Sequence, residues 1–190
     1  NELWAPMPSL SAEVTGERMQ REWDKELASK GQDKASLFRA MMRSIQTRIY
    51  IVIVILCVLI VFSFVGPAVL VRLILEYVQL NLTDVKYGVM LIVLLFVNEV
   101  GRTLMFAIYW HFLYEMGTKV RSGSLTLLYN KLLRLSSLKH KSVGEVVNIY
   151  SSDGQRLFDM MSVSPPLFMG PIMLIMATVY ATMFIGPWAL

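Results

Sequence analysis

The chain has 190 residues; 55% are apolar, only 17% are charged, and the formal net charge is +4. A mean hydropathy of +0.54 argues against an ordinary water-soluble domain and for a membrane protein. Two His and one Cys leave no basis for a His-based metal site or an intrachain disulfide, and there is no Walker A phosphate loop, so this segment does not hold ATP in the P-loop manner.

Residues 1–35 read as an arm around one helical stretch, "ERMQREWDKELASK". Met19, Trp23 and Leu27 recur there every four residues, and Gly31 is a plausible stop. The stripe would pack on another domain or on the membrane surface; the alternative is a solvated helix held by its Glu/Lys pairs. Residues 36–48, "SLFRAMMRSIQTR", begin with Ser36 as a candidate cap. Leu37, Phe38, Met41, Met42 and Ile45 share a face, with Arg39, Arg43 and Arg48 near it. That pattern predicts an interfacial elbow helix, with a plain extension of the first span as the alternative. The first 48 residues carry charges of both signs, unlike a signal peptide.

Ile49 to Val71 is 23 residues without a formal charge, long enough to cross a hydrocarbon core of about 30 Å. Gly66-Pro67 inside it predicts a kink. Asn81 begins an N-glycosylation sequon, "NLT", between the first two apolar runs. The second run, Gly88 to Trp110, contains Glu99 and Arg102. Helical periodicity then continues through Leu125, Leu128, Leu132 and Leu135, so a single helix of about 73 Å is expected from Tyr87 to Leu135 at 1.5 Å per residue. Residues 136–142, "SSLKHKS", read as a reversal. In "SVGEVVNIYSSDGQRLFD", Val143, Val146, Val147, Tyr150, Leu157, Phe158 and Met161 share one face, and Glu145, Asn148, Ser152, Gln155 and Asp159 another. Ser164-Pro165-Pro166 and Gly170-Pro171 lead into the third run, Leu167 to Ile185.

Eight of the 18 Lys and Arg lie in residues 1–48 and seven in 119–156. By the positive-inside rule both segments face the cytoplasm, as does the N-terminus. This distribution explains the basic balance through membrane topology, without nucleic acid. With three crossings in so short a chain, a piece of a larger protein is expected.

Arg102, in mid-span, is a functional candidate by default. Either it faces a cavity and attracts an anion, or it pairs with Glu99, three residues earlier on the same face; one group can do both. Arg72, with Glu76 near the outer interface, reads more simply as a snorkelling pair. Tyr109, Trp110 and Tyr114 read as an inner aromatic belt. Ser151, Ser152 and Asp153 with His140 do not make a hydrolase set, because adjacent helical side chains diverge.

The stretch "SVGEVVNIYSSDGQRLFD" after "LYNKLLRLSS" resembles the first intracellular loop of ATP-binding cassette exporters of the C subfamily, the multidrug-resistance-associated proteins. "FSFVGPAVLVRLILEYVQ" looks like their first core transmembrane helix, and "PIMLIMATVYATMFIGP" like their third. The resemblance covers essentially the whole chain, and the arm, residues 142–159 and "EVGR" are most like short forms without an extra N-terminal membrane domain. It implies an all-α membrane protein, a fragment of a type I/IV exporter transmembrane domain. Residues 1–35 would be its lasso, 36–48 its elbow and 49–190 the first half of the domain. Membrane helices would lie at about 49–78, 87–135 and 143–187, the last two with cytoplasmic extensions.

The function implied is ATP-driven export of organic anions across the plasma membrane by alternating access: cyclic nucleotides, conjugates, heme-related or antifolate anions. A channel or regulatory membrane subunit on the same scaffold is the alternative. ATP and Mg would bind downstream nucleotide-binding domains and not this segment, which carries no catalytic site. The implied partners are membrane lipid, the organic anion, those domains and a second transmembrane domain. Ser136, Ser137, Leu138, Lys139, His140, Lys141 and Ser142 would couple to a nucleotide-binding domain. Relatives that take glutathione conjugates carry Lys and His where this chain has Leu56 and Leu59. Arg102, Arg72 and Glu99 therefore remain as substrate candidates, with Tyr180 one position after the pocket Tyr of some relatives.

Overall fold

A computed structural model of the chain describes residues 10–80, 84–134 and 143–185. Those residues form α1 (Ala12–Lys30), α2 (Leu37–Ser44), α3 (Gln46–Phe64), a π-helical segment (Val65–Leu70), and α4 (Val71–Gln79). They continue with α5 (Val85–Leu133), α6 (Val143–Asn148), a second π-helical segment (Ile149–Asp153), and α7 (Gly154–Ile185). No strand occurs among the described residues. Two compact units divide the chain: a polar one, Asn1–Tyr50 with Phe112–Pro165, and an apolar one, Ile51–His111 with Pro166–Leu190.

In the polar unit α1 starts at Ser11, whose hydroxyl accepts from the Val14 N–H, satisfying one of the orphan donors of the first turn. It stops at Gly31, whose φ of 72° is open to glycine at little steric cost. α1 lies on the second half of α5 through small residues. Thr15 Oγ1 is 3.1 Å from Ser122 Oγ and Thr126 Oγ1 donates to Ala12 O over 3.3 Å. Gly16 makes this approach possible, because a Cβ there would stand 2.4 Å from Thr126 Cγ2 and 2.8 Å from Thr126 Cβ. Gly16→Ala is therefore expected to cost about 1–2 kcal/mol by overpacking, read as roughly tenfold faster amide exchange in α1. The same change at Gly170, with nothing within 4 Å of its virtual Cβ, should not destabilise, since Ala favours the helix. Equal effects at the two sites would refute the close contact.

The buried side of α1 departs from the Met19–Trp23–Leu27 stripe. Thr15, Gly16, Met19 and Glu26 are buried, while Trp23 and Leu27 are only half-buried. Glu26, with 0% of its side chain exposed, is held by Arg39 Nη1 at 3.1 Å, Arg43 Nη1 at 2.9 Å and Lys30 Nζ at 3.7 Å. The carboxylate displaces the indole because three cations offset its desolvation. Two of the arginines assigned by sequence to the membrane interface are thus engaged by protein. Ser36 occupies the cap position of α2, yet its side chain makes no capping bond.

Ile45, buried between α2 and α3, breaks the helix with φ −112° and ψ 7°. Beyond it, Arg48 pairs with Glu115 at 2.9 Å and lies over the Phe112 ring, and Lys119 reaches the same carboxylate at 2.8 Å. The second π-helical segment points the Tyr150 hydroxyl at Leu125 O, 3.1 Å away. Gly154 is buried within continuous helix. Phe158 stacks on Tyr114 and packs against Gly117, while Val147, assigned by sequence to the packed face, is exposed.

The apolar unit contains most of each hydrophobic run. Gln46–Gln79, Val85–Leu133 and Ile149–Met183 are long and apolar enough to cross a membrane. Val54, Phe96, Leu174 and Met183 are well exposed, an arrangement that hydrocarbon tolerates and water does not. Val52, Leu59, Ala68, Leu70, Leu91 and Tyr109 form the small interior; Tyr109 is therefore a core residue here, and its hydroxyl has no partner among the described residues.

Candidate functional site

Pro67 brings no N–H, and its ring displaces the carbonyl one turn earlier, so an α-helix cannot run through it unaltered. The chain widens into the π-helical segment Val65–Leu70, a departure found often at functional sites. Asn98 of α5 takes advantage of the opening: its Nδ2 donates to Phe62 O over 3.1 Å, and the residue is 6% exposed. Gly66 leaves room for this contact, since a Cβ would stand 2.5 Å from Asn98 Nδ2 and 2.8 Å from Glu99 Oε1.

Glu99 in turn holds Arg102, with Nη2 to Oε2 at 2.5 Å, both side chains being partly exposed. Arg102 also lines a cavity of about 320 Å³ with Leu59, Ser63, Thr103, Phe106 and Met169. That volume lies at the small end of organic-ligand sites. The walls combine one cation, two hydroxyls and an apolar surface. Thr103 Oγ1 is engaged by Glu99 O at 2.9 Å, which sets its rotamer.

A second polar group forms at Arg72, whose Nε donates to Glu76 Oε1 over 2.7 Å. Tyr180 joins it: its hydroxyl lies beside the Arg72 guanidinium and donates to Ala68 O, and its ring meets Phe64 edge-on at 5.2 Å. The structure thus brings Glu99 to Arg102 and Tyr180 to Arg72, as two groups.

No protein-family model matches the chain. ATP-binding cassette sub-family C member 3 of Homo sapiens is 28% identical over 127 residues, which is 66% of this chain and 8% of that protein. ATP-binding cassette sub-family C member 2 of Homo sapiens is 28% identical over 129 residues, covering 67% of the chain and 8% of the relative. ABC transporter C family member 8 of Dictyostelium discoideum is 27% identical over 168 residues, with 87% and 10% covered. These relatives are ATP-binding cassette proteins of subfamily C. The chain spans a tenth or less of their length. Its described residues are helical, and its three long apolar helices fit a multi-pass, membrane-spanning part of proteins of this kind.

Leu59, at a position where some relatives were expected to carry a basic residue, is an apolar wall of the Arg102 cavity. The coupling residues Ser136, Ser137, Leu138, Lys139, His140, Lys141 and Ser142, and the sequon Asn81, lie outside the described residues. Sequence reasoning passed over Asn98, Ser63 and Thr103. For Asn98 a signal was available: an amide inside an apolar span must find a partner, here the Phe62 carbonyl.

Proposed function

We propose that this chain supplies part of the translocation pathway of an ATP-driven exporter of organic anions that works by alternating access. The observation that carries the reading is Arg102 on the wall of a cavity otherwise built from apolar side chains and two hydroxyls. Such a site suits an anion with an apolar body, because the guanidinium offers directed charge in a low-dielectric setting. Glu99 offsets that charge when the cavity is empty and shares the guanidinium when an anion arrives. Arg72 with Tyr180 forms an accessory polar station.

ATP and Mg belong to downstream nucleotide-binding domains, which with a second transmembrane domain are the proposed intramolecular partners. Residues 136–142 would transmit their motion, and Asn81 would carry glycan on the outer side of a plasma-membrane protein with a cytoplasmic N-terminus. Cyclic nucleotides, conjugates, heme-related anions and antifolates are the candidate cargoes. Residues 142–159, the arm and residues 99–102 are most like the subfamily's fifth member, a short form.

The test is ATP-dependent uptake of these anions into inside-out vesicles. Arg102→Ala should raise KM about tenfold, the loss of one charge-assisted contact, and Arg102→Lys should recover part of it. Unchanged uptake kinetics in both variants would remove the reading.

A further inference from the structure

A second cavity lies wholly in the polar unit, apart from the residues invoked for export. It has a volume of about 660 Å³ and is bounded by α1, the start of α2 and the end of α5. Leu27 and Leu37 form part of its apolar lining, Trp23 adds a half-buried indole, and Lys131 and Arg134 stand at its α5 end. Neither cation has an ion-pair partner among the described residues, although Glu26 gathers three cations close by in the same unit. Asp24, the acidic residue of the lining, is engaged by Gln20 Nε2 at 2.9 Å. The hydroxyl of Ser124, another lining residue, is buried and has no hydrogen-bond partner among the described residues.

Cations in the last turn of a helix also offset its dipole, but that role calls for neither an adjacent cavity nor an uncovered indole. The volume lies in the range of small organic-ligand sites, and the lining sets an apolar wall of Trp23 and leucines beside polar and cationic groups, a division suited to an amphipathic ligand. We propose that this cavity is a binding site for a small amphipathic organic anion, its flat apolar body against Trp23, Leu27 and Leu37 and its acidic group on Lys131 and Arg134. A ligand held there touches α1, α2 and α5 at once, and so braces the arm against the long helix. Stacking on the indole and charge-assisted bonds supply the affinity. The site is regulatory in position, since it shares no residue with the Arg102 cavity.

The experiment is amide hydrogen exchange on the protein in zwitterionic lipid nanodiscs, titrated with naphthalenesulfonate and, as an uncharged control, methylnaphthalene. Saturable protection of residues 20–37 and 124–134 by the sulfonate, with weaker protection by the control, is the expected result. Lys131→Glu with Arg134→Glu should raise the half-saturating concentration at least about tenfold, the equivalent of roughly 1.4 kcal/mol. Lys131→Arg with Arg134→Lys should stay within about threefold of the parent. Trp23→Leu, which keeps bulk in α1, should weaken binding about tenfold by removing the stacking face. Arg102→Ala should change nothing, so this result stands or falls separately from the export reading. Protection that fails to saturate, or that survives charge reversal, overturns the proposal.

Discussion

Replacing Arg39 and Arg43 together by Gln is expected to destabilise the packing of α1 on α2 by about 3 kcal/mol, more than replacing the carboxylate they share. The reason is where each charge sits. Glu26 has no exposed side-chain surface, whereas Arg39 and Arg43 are 49% and 42% exposed. Removing both arginines leaves a buried carboxylate with Lys30 alone at 3.7 Å, and an undercompensated buried charge costs about 3–5 kcal/mol, the remaining lysine keeping the value at the lower end. Removing the carboxylate by Glu26→Gln lets two half-exposed guanidiniums return to water and forfeits only charge-assisted hydrogen bonds, about 2 kcal/mol. Amide exchange across Ala12–Lys30 reports the difference: more than about a hundredfold acceleration in the arginine variant, since each 1.4 kcal/mol is a factor of ten. Combining all three substitutions should restore part of the protection. If Glu26→Gln proves at least as damaging as the arginine pair, the burial asymmetry is not what governs this contact.

Gly66→Leu is expected to cost about 2–4 kcal/mol, overpacking contributing about 1–3 kcal/mol and the displaced Asn98–Phe62 bond about 1 kcal/mol. The smaller change Gly66→Ala separates the two causes. Its methyl would fall 2.5 Å from Asn98 Nδ2, so the amide must leave the Phe62 carbonyl. In an Asn98→Ala background only Glu99 Oε1, 2.8 Å from the added methyl, still has to shift; it is the far end of a flexible side chain, so Gly66→Ala should then cost much less, helped by alanine's preference for the helix that glycine weakens. The two substitutions should therefore be strongly non-additive, measured as unfolding of the reconstituted protein in graded denaturing detergent. Additive losses would mean that Asn98 does not depend on the glycine. Because Glu99 also packs at Gly66, Gly66→Ala should alter anion KM as well as stability.

Some of this was legible residue by residue. The helix stop at Gly31 follows from a backbone conformation that glycine adopts freely. The Arg72–Glu76 and Glu99–Arg102 pairs follow from spacings of four and three on a helix, and the structure holds them at 2.7 and 2.5 Å. What escaped was decided by residues distant in sequence. Trp23 outranks Glu26 in any hydrophobic stripe, yet Glu26 is the buried one because Arg39 and Arg43, 13 and 17 positions later, neutralise it. Pro67 announced a distortion but not its form. The π-helical form has a partner 36 positions away, where Asn98 meets Phe62 O. Tyr180 reaches Ala68 across 112 positions, a contact that no local pattern encodes.

By itself the sequence determined the class of this protein: apolar runs of membrane length and helical periodicity leave an all-α arrangement as the way to satisfy every backbone polar group in hydrocarbon. It also named the charged side chains available within those runs, since each ionisable group there is costly enough to stand out. Tertiary structure alone decided that Arg102 lines a cavity, which carboxylate is buried, and where the first span opens for Asn98. Those outcomes depend on desolvation and on partners brought close by packing, and neither quantity exists until the helices meet.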